Sequence, residues 1–218
     1  MVMESVLELF DGKSGVVEEP VMREALKRLG IKLPRWALLP GGDGEVKLNY
    51  PLVVKVASSR ILHKSEVGGV RVGVRDEEEL EDVLEEMRKS FDGEDLIVEE
   101  MVEGKVEMIV GLKYHRDFGP TVMVGVGGFL AELYRDVTFR SAPLTEDEVE
   151  LAIEDLKGRE LLYGYRGIVV DRKDFFRSVS KLSQLAKSLG ERLEAMDINP
   201  MILNGEGAWA VDVKMILK

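Results

Sequence analysis

The chain has 218 residues, 45% hydrophobic and 33% charged, with a formal net charge of −11 and a pI near 4.9. That length holds one large domain or two small interlocked ones, and the composition is that of a globular chain, not a disordered one. The acid excess excludes general nucleic-acid binding, which needs a basic footprint, but not ATP, whose phosphates need only local cations and backbone amides. Absence of cysteine rules out disulfides and thiolate metal sites and fits a cytoplasmic location. No apolar run approaches the roughly 20 residues that span a bilayer, and the start, Met1–Ser5, lacks the basic and apolar regions of a secretory signal.

The first 15 residues carry little periodicity and are expected to form a short helix or to fray. Pro20 stands at a first helical position, with Val21, Ala25, Leu26 and Leu29 on one face and Gly30 as the stop. Residues 31–39 read as extended and 40–44 as a loop. Leu52–Val56 is a strand, followed by a polar loop, Gly68-Gly69 and a second strand over Val70–Val74. Asp76 with Glu79 opens a helix whose apolar stripe is Leu80, Val83, Leu84 and Met87. Strands are expected over 96–100, 106–112 and 121–126. A capping box at Thr145–Glu148 begins a helix that Gly158 should end. A longer helix covers about 174–189, and two final strands cover about 192–199 and 208–217. Several strand pairs are adjacent and do not alternate strictly with helices, which favours α+β over a doubly wound parallel sheet.

The last two strands allow a geometric argument. With Gly205-Glu206 as a two-residue hairpin turn, Asn204 faces Gly207, and Asn199 falls opposite Asp212. Asp197 and Lys214 share that face. Hard oxygen ligands from neighbouring strands suit Mg²⁺, which takes one or two protein oxygens and leaves the rest to water and phosphate. A solvated polar face is the competing reading, and a one-residue slip would separate the pair.

Lys55 interrupts an apolar strand, where an ammonium is costly unless an anion meets it. Phosphate binding and snorkelling from an edge strand both stand open. His63, one of two histidines, lies in the glycine-containing loop that follows and could accept a phosphoryl group, although a lone histidine is more often structural. Gly68-Gly69 is a phosphate loop or an ordinary tight turn, and it matches neither common nucleotide fingerprint. Glu99, Glu100 and Glu107 could meet a ribose or adenine edge, and local sequence alone prefers them as exposed carboxylates. Arg135, Asp136 and Arg140 could touch phosphate or form surface ion pairs.

In order and spacing, the segments Tyr50–Lys55, Ile61–Val70, Glu107–Gly111, Asp117–Pro120, Val124–Gly128, Asp136–Leu144, Tyr165–Gly167, Asp197–Pro200 and Asp212–Lys214 resemble one family. It is the ATP-grasp β subunit of ADP-forming acetate–CoA ligase, an ADP-forming acyl-CoA synthetase related to the succinyl-CoA synthetase β subunit. The resemblance runs from about residue 20 to the end. It implies an ATP-grasp fold of α+β class, with an N-terminal extension over 1–19 and two subdomains, 20–100 and 101–218, enclosing the nucleotide.

By the same resemblance Lys55 lies near the nucleotide phosphates with Gly68 and Gly69, and the adenine hinge supplies Glu99, Glu100, Met101 and Val102. Glu107 is an acidic position near the nucleotide, Asn199 and Asp212 hold Mg²⁺, and His63 carries phosphate. Glu66 stands where aspartate is also usual. The implied partner is a CoA-binding α subunit in an α₂β₂ heterotetramer, with ATP or ADP and phosphate as substrates. Neither nucleic acid nor membrane is expected as a partner. The implied reaction is acyl-CoA + ADP + phosphate ⇌ carboxylic acid + CoA + ATP. A carboxylate–amine ligase on the same fold and a nucleotide-sensing subunit are the rival readings.

Overall fold

The computed structural model describes residues 1–58, 60–61, 64–128 and 135–218. In chain order its helices and strands are α1 (Val2–Leu7), β1 (Gly15–Val16), α2 (Glu19–Arg28), β2 (Trp36–Leu39), β3 (Leu52–Ala57), β4 (Val70–Val74), α3 (Glu77–Ser90) and β5 (Asp95–Glu100). They continue with β6 (Val106–His115), β7 (Gly119–Val126), β8 (Val137–Ser141), α4 (Glu146–Glu154), α5 (Arg172–Leu189), β9 (Leu193–Asn204), β10 (Gly207–Ala210) and β11 (Val213–Leu217). Strand pairing is antiparallel throughout both sheets, the α+β pattern that mixed, adjacent strands predict. Among the described residues no helix is long and apolar enough to cross a membrane.

The chain divides into two compact units. The larger comprises residues 1–17, 21–33 and 103–218, and the smaller comprises 18–20 and 34–102. The sequence boundaries near 19 and 100 differ from this in the first third of the chain. Val6 and Phe10, then Met22, Ala25 and Leu26, are fully buried in the core of the larger unit. Each of these side chains larger than alanine contributes roughly 1.5–3 kcal/mol when removed from water. That burial joins the N-terminal helix pair to the C-terminal half.

In the larger unit the strand order is β1-β11-β9-β6-β7-β8, with β10 also paired to β9. Along β6 the residues Val106, Met108, Val110 and Leu112 point into the core, and Glu107, Ile109, Gly111 and Lys113 occupy the other face. The core face packs on α1, α2, α4 and α5, the last through Phe175, Val179, Leu182, Leu185 and Ala186. Asp171 caps α5 by accepting from Asp174 N at 3.1 Å, so the helix starts slightly before the expected 174. Helix α4 ends at Glu154 and not at Gly158. Gly158 and Lys157 instead donate their backbone N–H groups to the Asp136 carboxylate at 2.7 and 2.8 Å.

The strand expected to stop at Asn199 continues as β9 for 12 residues. Pro200 has no N–H to give a ladder, which is why it reads as a strand terminator. Here β6 and β9 shift register between the pairs Met108–Met201 and Val110–Ile198, a bulge that accommodates the proline.

The smaller unit is a four-stranded sheet in the order β2-β5-β3-β4. Leu80, Leu84 and Met87 of α3 pack with Leu52, Val54 and Val56 of β3 and Leu96 and Val98 of β5. The alternation places Lys55, Ile97 and Glu99 on the opposite face.

Both capping predictions hold. Asp76 accepts from Glu79 N at 2.9 Å, and Thr145 and Glu148 form a full capping box. Thr145→Ala is expected to cost about 1 kcal/mol of unfolding free energy, measured as a lowered denaturant midpoint at unchanged slope. No change in the midpoint would show that the cap contributes nothing.

Candidate functional site

The hairpin register is the one that the Asn204–Gly207 turn predicts. Gly207 pairs with Asn204 and Ala210 with Met201. Beyond the end of β10 the same register resumes, with Val213 opposite Ile198 and Lys214 opposite Asp197. Between them Asn199 N donates to Asp212 O at 3.1 Å. Asp197, Asn199, Asp212 and Lys214 therefore share the face turned away from the core.

Asp212 Oδ1 is buried and has no hydrogen-bond partner among the described residues, a state that costs free energy unless something fills it. Its other oxygen, Oδ2, lies 3.8 Å from Lys214 Nζ. Two carboxylates against one ammonium leave a net negative site. Among the described residues no three His, Cys, Asp or Glu side chains gather as a metal cluster. A carboxylate with an open lone pair beside an asparagine amide nevertheless fits the sparse protein ligation of Mg²⁺.

The Asp197 carboxyl is raised above its ordinary value, chiefly by burial, with Lys214 opposing the shift and Asp212 adding to it. A raised folded-state value means that the native protein binds this proton more tightly than the unfolded chain does. Stability is then lost as pH rises from the unfolded value of about 3.9 through the folded one. Asp197→Asn is expected to raise the thermal midpoint at neutral pH, and the gap from wild type should close as pH falls towards about 4. A gap that widens on acidification would contradict the assignment.

Glu107 lies exposed on the same open face. The Gly127-Gly128 turn packs against it, with Gly127 N donating to Glu107 O at 2.6 Å. A Cβ on Gly127 would sit 2.9 Å from the Glu107 carbonyl carbon, so only glycine allows this approach. Further along the same face Gly111, Thr121, Met123, Phe139 and Asp197 help line a groove of about 530 Å³ that also includes His115 and Phe118. Arg140 pairs with Asp155, the surface ion-pair alternative of the two read from sequence.

In the smaller unit Lys55 is not a free cation. Its ammonium lies 2.8 Å from Glu99 Oε1 and 3.3 Å from Glu19 Oε1, and Glu19 Oε2 pairs with Lys64. Exposures of 3% for Lys55, 2% for Glu99, 8% for Glu19 and 7% for Lys64 make these a buried chain in which, among the described residues, two cations meet two carboxylates. Removing one member of such a network costs about 3–5 kcal/mol, because its partner stays buried and uncompensated. Neither Glu19 nor Lys64 stood out in the sequence. The only local sign is a glutamate preceding Pro20 at the helix start, 36 residues before Lys55.

The expected hinge residues separate by face. Glu99 turns inward to Lys55, whereas Glu100 accepts from Arg35 at 3.0 Å and from the Asn49 side chain at 2.9 Å. The backbone N–H groups of Glu100 and Met101 donate to Arg35 O and Pro51 O, each at 2.9 Å. Met101 also lines a cavity of about 430 Å³ with Tyr50, Pro51, Val72, Gly73 and Arg75, and Val102 follows at the end of the unit.

The two loop glycines serve different needs. Gly68 has φ +73° in a turn closed by its N–H to Ser65 O at 3.3 Å. Gly69 is held by close approach: a Cβ there would lie 2.8 Å from Val56 Cγ1 and 3.0 Å from Lys64 O. His63 lies outside the described residues.

These features define an ATP-grasp protein, and residues 10–217 match the ATP-grasp domain family model. Within that family the chain belongs with the β subunits of ADP-forming acetate–CoA ligases. The β subunit of acetate–CoA ligase I of Pyrococcus furiosus is 33% identical to it, over 97% of this chain and 96% of that subunit. The ADP-forming 4-hydroxybutyrate–CoA ligase of Nitrosopumilus maritimus is 34% identical over 88% of this chain. The chain spans only 30% of that longer relative. A solved structure of the acetyl-coenzyme A synthetase 1 of Ca. Korarchaeum cryptofilum superposes with a TM-score of 0.83 at 32% identity, covering 99% of this chain and 100% of that one. That protein was in complex with coenzyme A and Mg-AMPPCP, its phosphohistidine segment pointing towards the nucleotide-binding site.

Proposed function

We propose that this chain is the nucleotide-handling β subunit of an ADP-forming acyl-CoA synthetase, catalysing acyl-CoA + ADP + phosphate ⇌ carboxylic acid + CoA + ATP with a CoA-binding α subunit. The observation that carries the reading is the register-locked pair Asn199 and Asp212, with Asp212 Oδ1 buried and unpaired among the described residues. Bound Mg²⁺ would supply charge neutralisation for the phosphate oxygens, held by Asn199 and Asp212.

Phosphoryl transfer asks a protein for placement and charge compensation more than for covalent chemistry. Lys55 supplies an ammonium to the phosphates, and Glu99 and Glu19 hold that ammonium in place. Glu107 and the Gly127-Gly128 turn shape the open face of the larger sheet towards the nucleotide. The segment ending at Met101 and Val102 supplies the adenine side, and Gly68 and Gly69 set the turn after the histidine.

His63 is the carrier. A neutral imidazole is available as a nucleophile near pH 7, where a lysine must first lose a proton. In the ATP-forming direction the P–N bond to His63 breaks as a P–O bond to the terminal oxygen of ADP forms, and the imidazole is returned. The partner supplies CoA and acyl chemistry in a cytoplasmic α₂β₂ assembly.

Incubation with γ-labelled ATP tests the reading, with and without a co-expressed partner. Acid-labile, base-stable label on this chain and CoA-dependent turnover with the partner are the expected results. Nucleotide binding without label identifies a sensor, and CoA-independent ligation to an amine identifies the other ligase class.

A further inference from the structure

Resting on the phosphohistidine reading, we propose that Glu19 is a positioning residue for phosphoryl transfer, its one carboxylate tying the nucleotide-side lysine, Lys55, to Lys64, the residue that follows His63. Glu19 Oε1 faces Lys55 Nζ at 3.3 Å, and its other oxygen pairs with Lys64. Both lysines are almost wholly buried, so neither ammonium can exchange this partner for water without loss.

The rest of the limb after His63 is equally tied. Gly69 N donates to Lys64 O at 2.7 Å, and Val56 N donates to Gly69 O at 3.0 Å. Val56 is the next residue after Lys55 on β3. Residue 64 is thus fixed to the phosphate-binding strand twice, through its backbone by way of Gly69 and through its side chain by way of Glu19.

Charge balance explains why a carboxylate does this work. Lys55 and Lys64 approach one another across Glu19, and without an anion between them two buried ammoniums would repel. Glu99 compensates Lys55. Glu19 compensates both, and its place at the first residue of α2 adds the favourable field of a helix start. A hydrophobic replacement could serve packing at this point, but it could not hold two cations in register. The role follows: Glu19 sets the distance between the ammonium that receives the phosphates and the chain position adjoining the phosphoryl carrier.

The test uses the complete enzyme with its partner subunit and compares wild type, Glu19→Gln, Glu19→Asp and Lys64→Met. Single-turnover labelling by γ-labelled ATP is read beside AMPPCP affinity and thermal midpoint. Glu19→Gln is expected to slow labelling roughly 10–100-fold, by a clearly larger factor than AMPPCP affinity falls and beyond what the accompanying loss of thermal midpoint accounts for. Glu19→Asp should recover part of the rate, and the Glu19→Gln, Lys64→Met double variant should be no slower than the slower single variant.

Labelling of Glu19→Gln at the wild-type rate overturns the proposal. So does a loss of labelling that merely tracks loss of nucleotide affinity and stability, because that is what a structural ion pair gives. An unlabelled wild-type enzyme removes the phosphohistidine reading, and this role with it. A labelled wild type beside a normal Glu19→Gln removes this role alone.

Discussion

His63→Ala is expected to abolish coupling of ATP to acyl-CoA formation, leaving only background turnover, while nucleotide affinity survives within a few-fold. The reason is chemical. Alanine offers no atom on which a phosphoryl group can rest, so the two half-reactions lose their common intermediate. The groups proposed to meet nucleotide, Lys55 and the Asn199–Asp212 pair, are left unaltered by the substitution. Coupled turnover and AMPPCP titration on the same preparation check the two halves of the claim. Undiminished coupled turnover in the variant would remove His63 from the reaction path.

Asp212→Asn carries the second large effect. Its Oδ1 is a buried acceptor without a hydrogen-bond partner among the described residues, and the neighbouring charges include Asp197 and Lys214. The amide removes the charge that a hard cation would meet and keeps the shape. Replacing even a group that supports a metal ligand costs about 10–100-fold in affinity or activity, so the Mg²⁺ activation constant should rise by at least that factor. The thermal midpoint should hold or rise, because a poorly satisfied buried carboxylate has been neutralised. An unchanged Mg²⁺ requirement, or a large fall in stability with no shift in it, would mean that Asp212 serves the fold instead.

What sequence made legible was mainly short-range. The Asn204–Gly207 turn predicted the pairing of Asn199 with Asp212 because hairpin geometry propagates residue by residue. Helix starts at Asp76 and Thr145 were legible because capping is written within four residues. The Lys55 strand was legible as a short apolar run, Leu52–Val56, followed by a loop and a second strand-like run.

What escaped was long-range or irregular. Nothing local announces that Glu19 lies between Lys55 and Lys64, or that residues 1–33 bury their apolar face mostly in the C-terminal half. Pro200 hid the true length of β9, since its missing donor is normally the end of a strand and here falls at a bulge. Gly69 looked like a source of backbone freedom. Its close approach to Val56 and Lys64 O shows the opposite, a site where a methyl group would not fit.

The short strand β1 pairs with β11, Gly15 meeting Leu217 and Val16 meeting Ile216, so one edge of the larger unit's sheet is built from its first and last strands. During synthesis the N-terminal helices must therefore wait, with Val6, Phe10 and Met22 lacking their final cover, until residues 213–217 have left the ribosome. Every residue of the smaller unit has been made by residue 102, whereas the larger unit needs segments from both sides of it, so its segments within the first 33 residues wait for 103–218. Slow refolding through intermediates is the expected consequence of that interleaved connectivity.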